Sequence, residues 1–164
     1  PTTRAEKECE GNQKSYDEED VSERYAEAEE VIDLTRAVVS YLRADTILAA
    51  KLGSFRGHPS IFGTSPIPEQ STTPFIVTHS ITDTTLQTKN RLVREIDQDI
   101  GIYDDEDGSA ADVEVIAEYI REKLRTSFDV PDWSMSSLDV SGPILNDTDD
   151  LHGRVLMARI VLDR

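Results

Sequence analysis

The sequence has 164 residues, a net charge of −16 and a single cysteine, and 37% of its residues are hydrophobic. A chain of this length can form one domain with a buried core and still carry an extension. Its acidity argues against binding to nucleic acid or to anionic membranes, which would repel it, and one cysteine cannot form a disulfide within the chain.

Twelve Arg and only five Lys supply the positive charge, against 18 Asp and 15 Glu. An acidic surface poor in lysine is expected in a high-salt cytoplasm, where salt screens the repulsion between like charges. We therefore consider a halophilic source, with an ordinary acidic protein as the alternative. No apolar run approaches the roughly 18 residues of a membrane span, and no apolar signal core is present. We expect the protein to act inside the cell that makes it or in a particle assembled there.

The start of the chain is the most acidic part of it. Residues 1–30 contain eleven acidic and four basic residues. Residues 1–20 are also almost free of aliphatic side chains, which predicts a disordered extension. We assign residues 21–164 to a single domain.

Two helices are predicted to open this domain. The first runs from near Asp20 or Ser22 to near Arg43, because apolar residues recur every three or four positions towards its end. Asp45 is placed to cap a second, short helix that Gly53 ends.

A long antiparallel hairpin is predicted next. Residues 54–74 are rich in Gly, Pro, Ser and Thr and should form loops, with at most a short strand at Ser60–Phe62. Phe75–Ile81 is a good strand, and Thr82–Asn90 is a polar connection without Gly or Pro. We interpret that connection as the tip of the hairpin, and Arg91–Tyr103 as its second arm.

The assignment of Arg91–Tyr103 depends on the parity of its residues. Apolar side chains fall on even positions and most charged ones on odd positions, which suits a strand with one wet face. A helix is the alternative, since Leu92, Ile96 and Ile100 are four apart, and Arg94 and Gln98 interrupt the alternation. The β-branched content favours the strand.

The rest of the chain predicts a helix and two strands. Ser109 or Asp112 can cap the helix, and Pro131 follows its end. Trp133–Val140 is a weak strand, and Arg154–Leu162 a strong one. The predicted fold is therefore α+β: an antiparallel sheet with a long hairpin, packed as a two-layer sandwich against two main helices.

The acidic turn that follows Tyr103 matches a calcium loop at some positions. With Gly108 at the sixth position of such a loop, Asp105, Asp107 and Glu114 fall on ligand positions. The first position is then Tyr103, which does not replace the required acid. The flanking elements are also a strand and a helix rather than two helices, so we predict no metal here.

Other catalytic and cofactor signatures are missing from the sequence. His58, His79 and His152 share no metal-ligand spacing, and Ser80 lies in no nucleophile elbow. Glycines do not form a phosphate-binding loop, and Trp133 suits a core position. We predict that the protein is not an enzyme and has no cofactor.

Several segments together resemble the tail-completion, or tail-terminator, family of siphovirus-like tailed viruses. The resemblance covers about Val31 to Asp163. It is carried by Leu42–Gly53 at the end of the helix pair, by Pro68–Val77 at the entry to the hairpin, and by Thr148–Gly153 before the last strand. Lys51 replaces an apolar residue of the first pattern, and Asp150–Leu151 stands where the third usually has Gly.

The resemblance implies a structural virion protein, assembled in the host cytoplasm. It would form a ring, expected to be a hexamer, at the head-proximal end of the tail tube, and would end tube polymerisation and join the tail to the head connector. Genome DNA would pass through the ring without specific binding. The interface is predicted at the hairpin tip, in Thr84, Thr85, Leu86, Gln87, Thr88, Lys89 and Asn90.

Two alternatives remain open. One is a head-completion adaptor one ring further up the neck. The other is a small intracellular module that binds partner proteins through its acidic N-terminus.

Overall fold

The computed structural model describes residues 33–63, 66–88 and 90–164, which belong to the compact unit Asp33–Arg164. In chain order the elements are α1 (Leu34–Arg43), α2 (Thr46–Ala49), β1 (Ser54–Phe55), β2 (His58–Pro59), β3 (Ile61–Phe62), β4 (Phe75–Thr88), β5 (Arg91–Asp105), α3 (Ala110–Ser127), β6 (Ser134–Leu145) and β7 (Leu151–Asp163). Within these ranges no helix is both long and apolar enough to cross a membrane.

Five strands form the main sheet, in the order β3-β4-β5-β7-β6. The four long strands are antiparallel to their neighbours, and the predicted hairpin is present as β4 and β5. The predicted α+β fold is confirmed, but the sheet is mixed rather than wholly antiparallel. β3 pairs in the parallel direction with Ile76–Val77, because the connection between β3 and β4 is long enough to bring the chain back to the same end of the sheet.

The helices α1 and α3 cover one face of the sheet and form the core with it. Asp33 caps α1 by accepting a hydrogen bond from the amide of Arg36 (2.9 Å), and Ser109 caps α3. Their apolar stripes are buried, as the helical periodicity predicted. Opposite them lie the even-numbered side chains of β5, of which Ile96, Ile100 and Ile102 are completely buried.

Arg94 and Gln98, the polar residues that interrupt the alternation in the sequence, lie on this same buried face. Gln98 is fully buried and Arg94 is 5% exposed. The amide of Gln98 donates to Thr78 Oγ1 (2.6 Å) and accepts from Ser80 Oγ (2.7 Å). Burial of these polar groups is tolerated because they are hydrogen-bonded, so the alternation of faces continues through both residues.

The main difference from the prediction concerns Thr82–Asn90, which was expected to be the tip of the hairpin. β4 continues as a strand to Thr88, and its partners on β5 run from Asp97 to Arg91. The segment lacks an apolar alternation because both of its faces are exposed, whereas its β-branched threonines suit a strand. Lys89, in the connection itself, lies outside the described residues.

Smaller differences concern the helix and strand ends. The start predicted for the first helix, near Asp20, lies outside the described residues. α2 ends at Ala49 rather than near Gly53. A Cβ at Gly53 would lie 2.0 Å from the carbonyl oxygen of Thr72, so this glycine permits a close backbone contact. The loop region also contains the short pair β1–β2, and β6 and β7 are longer than predicted.

Candidate interaction surface

The outer half of the β4–β5 hairpin holds the residues predicted as an interface. From His79 to Gln87 every β4 side chain is exposed. Thr84 and Leu86 pair with Glu95 and Val93 and therefore share the face that no helix covers. Leu86 is 59% exposed, the largest apolar contribution on this arm.

The remaining predicted residues divide between the other face and the turn. Thr85 and Gln87 pair with Arg94 and Leu92 on the helix side of the sheet, and Asn90 is exposed in the turn. Thr88 is paired through its backbone, and its side chain, like Lys89, lies outside the described part of the chain. The structure therefore does not bring the predicted residues together in one patch, but divides them between two faces.

Side-chain pairs hold the extended arm in place. The guanidinium of Arg94 binds the carboxylate of Asp83 across the two strands and lies 5.9 Å from the ring centre of Trp133. Thr82 Oγ1 donates to Asp97 Oδ2 (2.6 Å). Because Arg94 is buried and charged, its pairing makes the position of β4 more specific than that of a strand held by its backbone alone.

Among the described residues, the outer edge of β4 has a neighbouring strand only at its first residues. β3 covers only Ile76–Val77, and one irregularity follows between Ser80 and Thr82. From Thr78 to Thr88 the strand therefore presents backbone groups along its free edge, where another strand could pair. The sequence pattern did not show this open edge, because the outer part of β4 was assigned to a loop.

The uncovered face of the sheet carries acidic side chains in a row. Glu95, Asp97 and Asp99 lie at alternate positions along β5. The guanidinium of Arg159, on β7, donates a hydrogen bond to the carboxylate of Glu95. Burial raises the pKa of Asp99, while the facing His79 acts in the opposite direction. The odd-numbered acids of β5 thus lie on the uncovered face, as the parity predicted, although one carboxylate oxygen of Asp99 is buried there.

A groove of about 370 Å³ continues this face towards the other end of the sheet. Tyr103 lies against Gly101, where a Cβ would be 2.5 Å from its ring, and its hydroxyl accepts a hydrogen bond from Asn146 Nδ2 (2.9 Å). Ile144 lines the same groove and is 50% exposed. No sequence pattern predicted this groove, although Gly101 inside a strand can mark a close approach of another group.

Hydrogen bonds from its own backbone amides hold the acidic turn after β5 in place. Asp104 Oδ1 accepts from the amide of Asp105 (3.0 Å), and Gly108 N donates to the carbonyl of Asp105 (3.0 Å). A Cβ on Gly108 would lie 2.3 Å from the Asp104 carboxylate. No cluster of three or more His, Cys, Asp or Glu side chains suited to a metal occurs in the described ranges.

Comparison with known proteins gives a similarity of fold only. No family model and no curated protein matches the sequence. Among solved structures, the chain is similar to one from the virion of a native gene transfer agent particle, with a TM-score of 0.63 and 18% identity. The match covers 80% of this chain and 95% of that one, so nearly the whole of that protein shares the fold described above.

Proposed function

We propose that this protein is a structural component of a virus-like particle, and specifically a tail-completion protein. It forms a ring, which we expect to be a hexamer, at the head-proximal end of the tail tube. The ring ends tube polymerisation and binds the head connector on its other face. It is assembled in the host cytoplasm and acts in the particle without catalysing a reaction.

The observation that carries the proposal is the fold similarity to a chain of a gene transfer agent virion, over 95% of that chain. The resemblance of Leu42–Gly53, Pro68–Val77 and Thr148–Gly153 to the tail-completion family supports the narrower assignment. A long open strand edge also suits a protein whose task is to bind neighbours.

The distribution of charge supports a channel through which DNA passes. The net charge is −16, and the uncovered face of the sheet carries a row of acids on β5. Acidic walls repel phosphates, so DNA would slide past them without binding. The outer part of β4, including Thr84–Asn90, would contact the tube or an adjacent subunit.

The test is to replace the protein in its own virus by the double variant Leu86→Ser and Lys89→Ser. We expect the variant to fold normally and to leave tails unattached to heads in electron micrographs. Ile47→Ser is the matched control, because Ile47 is also 59% exposed but lies on α2, and it should give normal particles. Normal joining by the double variant would contradict the proposed contact.

A virus that lacks the protein distinguishes the two neck assignments. Loss of a tail terminator should leave tubes of excessive length, because nothing ends their growth. Loss of a head-completion adaptor should leave tails of normal length that fail to attach. Joined particles of normal appearance would contradict both and favour a binding module outside the particle.

A further inference from the structure

We infer that β4 of one copy of this chain pairs, edge to edge and antiparallel, with Ser134–Asp139 of β6 in a second copy. This inference rests on the proposed ring and names the contact between its subunits. Each copy would contribute two different edges, one to each neighbour, so that the main sheets join around the ring.

The main sheet ends on one side in the two-residue strand β3, beyond which most of the long strand β4 extends, and on the other side in the long strand β6. On one side, β3 covers β4 at Ile76–Val77 and leaves Thr78–Thr88 open. On the other side, in the part of the chain that the structure describes, β7 is the one strand that pairs with β6. Its outer edge is partly closed by side chains of α3.

Two arginines close the second half of β6. Arg125 Nη2 donates to the carbonyl of Val140 (2.6 Å), and Arg121 Nη1 donates to the carbonyl of Gly142 (2.7 Å). Pro143 follows and has no N–H to offer, and the pairing with β7 is irregular between Ser141 and Ile144. These features protect an edge against strand addition. Within the described residues, the first half, Ser134–Asp139, has one irregularity in its pairing with β7, between Met135 and Ser137, but no proline and no bond from an arginine of α3.

The open parts of the two edges lie at the same level of the sheet. One row across the four long strands contains Thr82, Asp97, Arg159 and Asp139. A second row contains Leu86, Val93, Asp163 and Ser134. The open segment of β6 therefore lies at the same level, along the direction of the strands, as Thr82–Leu86 on the opposite edge.

Strand direction also fits such a contact. The four long strands alternate in direction from β4 to β6, so β4 and β6 of one copy run opposite ways. A second copy placed beside the first, in the same orientation, brings its β4 antiparallel to β6. Repetition of this contact around a closed ring leaves no copy with an unpaired edge, which a two-fold contact between two β4 strands would not achieve.

The distribution of charge also favours contact between these two segments. From His79 to Thr88 the one acidic residue is Asp83, and it is paired with Arg94. Ser134–Asp139 likewise contains one acid, Asp139. In a chain of net charge −16, copies can approach along these strands with little repulsion.

Disulfide trapping tests the pairing. Thr84 and Ser137 lie in one row, through Glu95 and Val161, and both are exposed. The double variant Thr84→Cys and Ser137→Cys, in a Cys9→Ser background, should form a ladder of covalent oligomers when the concentrated protein is oxidised. Each single-cysteine variant should remain almost entirely monomeric on a non-reducing gel.

The control replaces Ser137→Cys with Val115→Cys, which is exposed on α3 and should not give a ladder. No ladder from the Thr84–Ser137 variant would overturn the inference. Abundant dimer from Thr84→Cys alone would also overturn it, because it would mean that two β4 strands pair with each other. Circular dichroism and thermal melting check that each variant folds.

The same experiment separates this inference from the proposed function. A ring detected by light scattering but not trapped by these cysteines would overturn the strand pairing and leave the ring intact. A complete ladder from a protein whose loss leaves particles normally joined would support the pairing and contradict the tail-completion role.

Discussion

The ammonium group of Lys123 lies 2.8 Å from Oδ2 of Asp45 and so joins α3 to the start of α2. Asp45 is only 7% exposed and also accepts hydrogen bonds from Tyr119 (2.8 Å) and from the amides of Ile47 and Leu48. A single carboxylate therefore caps one helix and ties it to another. This link positions α2 against the main helical layer.

The free energy of unfolding should depend on pH through Asp45. Burial works to raise its pKa, but the bonds from Lys123, Tyr119 and the amides outweigh burial and lower the pKa from 3.8 to about 2. The group therefore stabilises the fold by on the order of 2 kcal/mol above pH 4, and this contribution is lost as the pH falls through the pKa of the folded protein. Urea unfolding between about pH 7 and pH 2 measures it.

The Asp45→Asn variant isolates this effect. It should be less stable than the original protein at pH 7, and the difference should shrink towards pH 2, where the native carboxyl is itself protonated. Asp150→Asn, in the exposed turn before β7, is the control and should leave the stability nearly unchanged. A difference between the Asp45 variant and the original protein that stays constant with pH would contradict this assignment.

A second prediction concerns the buried amide of Gln98. Gln98→Leu should lower the free energy of unfolding by about 1–3 kcal/mol, because Thr78 and Ser80 lose their partner. Thr35→Val should cost less than about 1 kcal/mol, since the hydrogen bond from Thr35 Oγ1 to Gln98 is long, at 3.4 Å. Urea denaturation of both variants gives the comparison. Equal losses would mean that the hydrogen bonds to Thr78 and Ser80 do not explain the burial of Gln98.

The core side of the hairpin could be predicted from the sequence because it follows strand parity. Ile96, Ile100 and Ile102 were placed on one face by their even spacing, and all three are fully buried. Local rules alone also predicted Asp45 as a cap and gave Ser109 as one of two candidates, with Asp112, for the cap of α3; the structure has Asp45 and Ser109 in these positions. In these places local propensity and tertiary packing agree.

The surface was predicted less well, since it depends on pairing between distant residues. The outer part of β4 has no hydrophobic pattern, so Thr82–Thr88 was interpreted as a loop, although β5 holds it as a strand. The closure of β6 by Arg121 and Arg125 joins residues 21 and 15 positions apart in the chain. No spacing rule identifies such contacts between a side chain and a distant backbone carbonyl.

Salt should stabilise the protein if its acidity reflects a high-salt environment. Raising the salt concentration from about 0.1 M to about 1 M shortens the screening length from about 10 Å to about 3 Å, so repulsion among the acids falls. We expect the melting temperature to rise by about 3 °C or more. Replacing the exposed Glu69 by Gln and the exposed Asp149 by Asn should raise the melting temperature at low salt and weaken its dependence on salt. A melting temperature that falls with added salt would contradict the halophilic proposal.

The last prediction follows from the closure of β6. Replacing Arg121 and Arg125 by Ala removes the donors from the carbonyls of Gly142 and Val140 and so lengthens the open edge. Unpaired strand edges promote association, so the double variant should self-associate more strongly than the original protein, as measured by light scattering at increasing concentration.

Arg43→Ala is the matched control, because Arg43 also donates to a backbone carbonyl, that of Ile61 (2.5 Å), but lies on α1. It removes one such bond and one positive charge, against two of each in the double variant, and leaves β6 unchanged, so it should increase association less than the double variant does. An equal increase in both variants would mean that the loss of positive charge or of stability drives association. An increase confined to the Arg121 and Arg125 variant means that these two side chains limit how far a second copy can pair along β6.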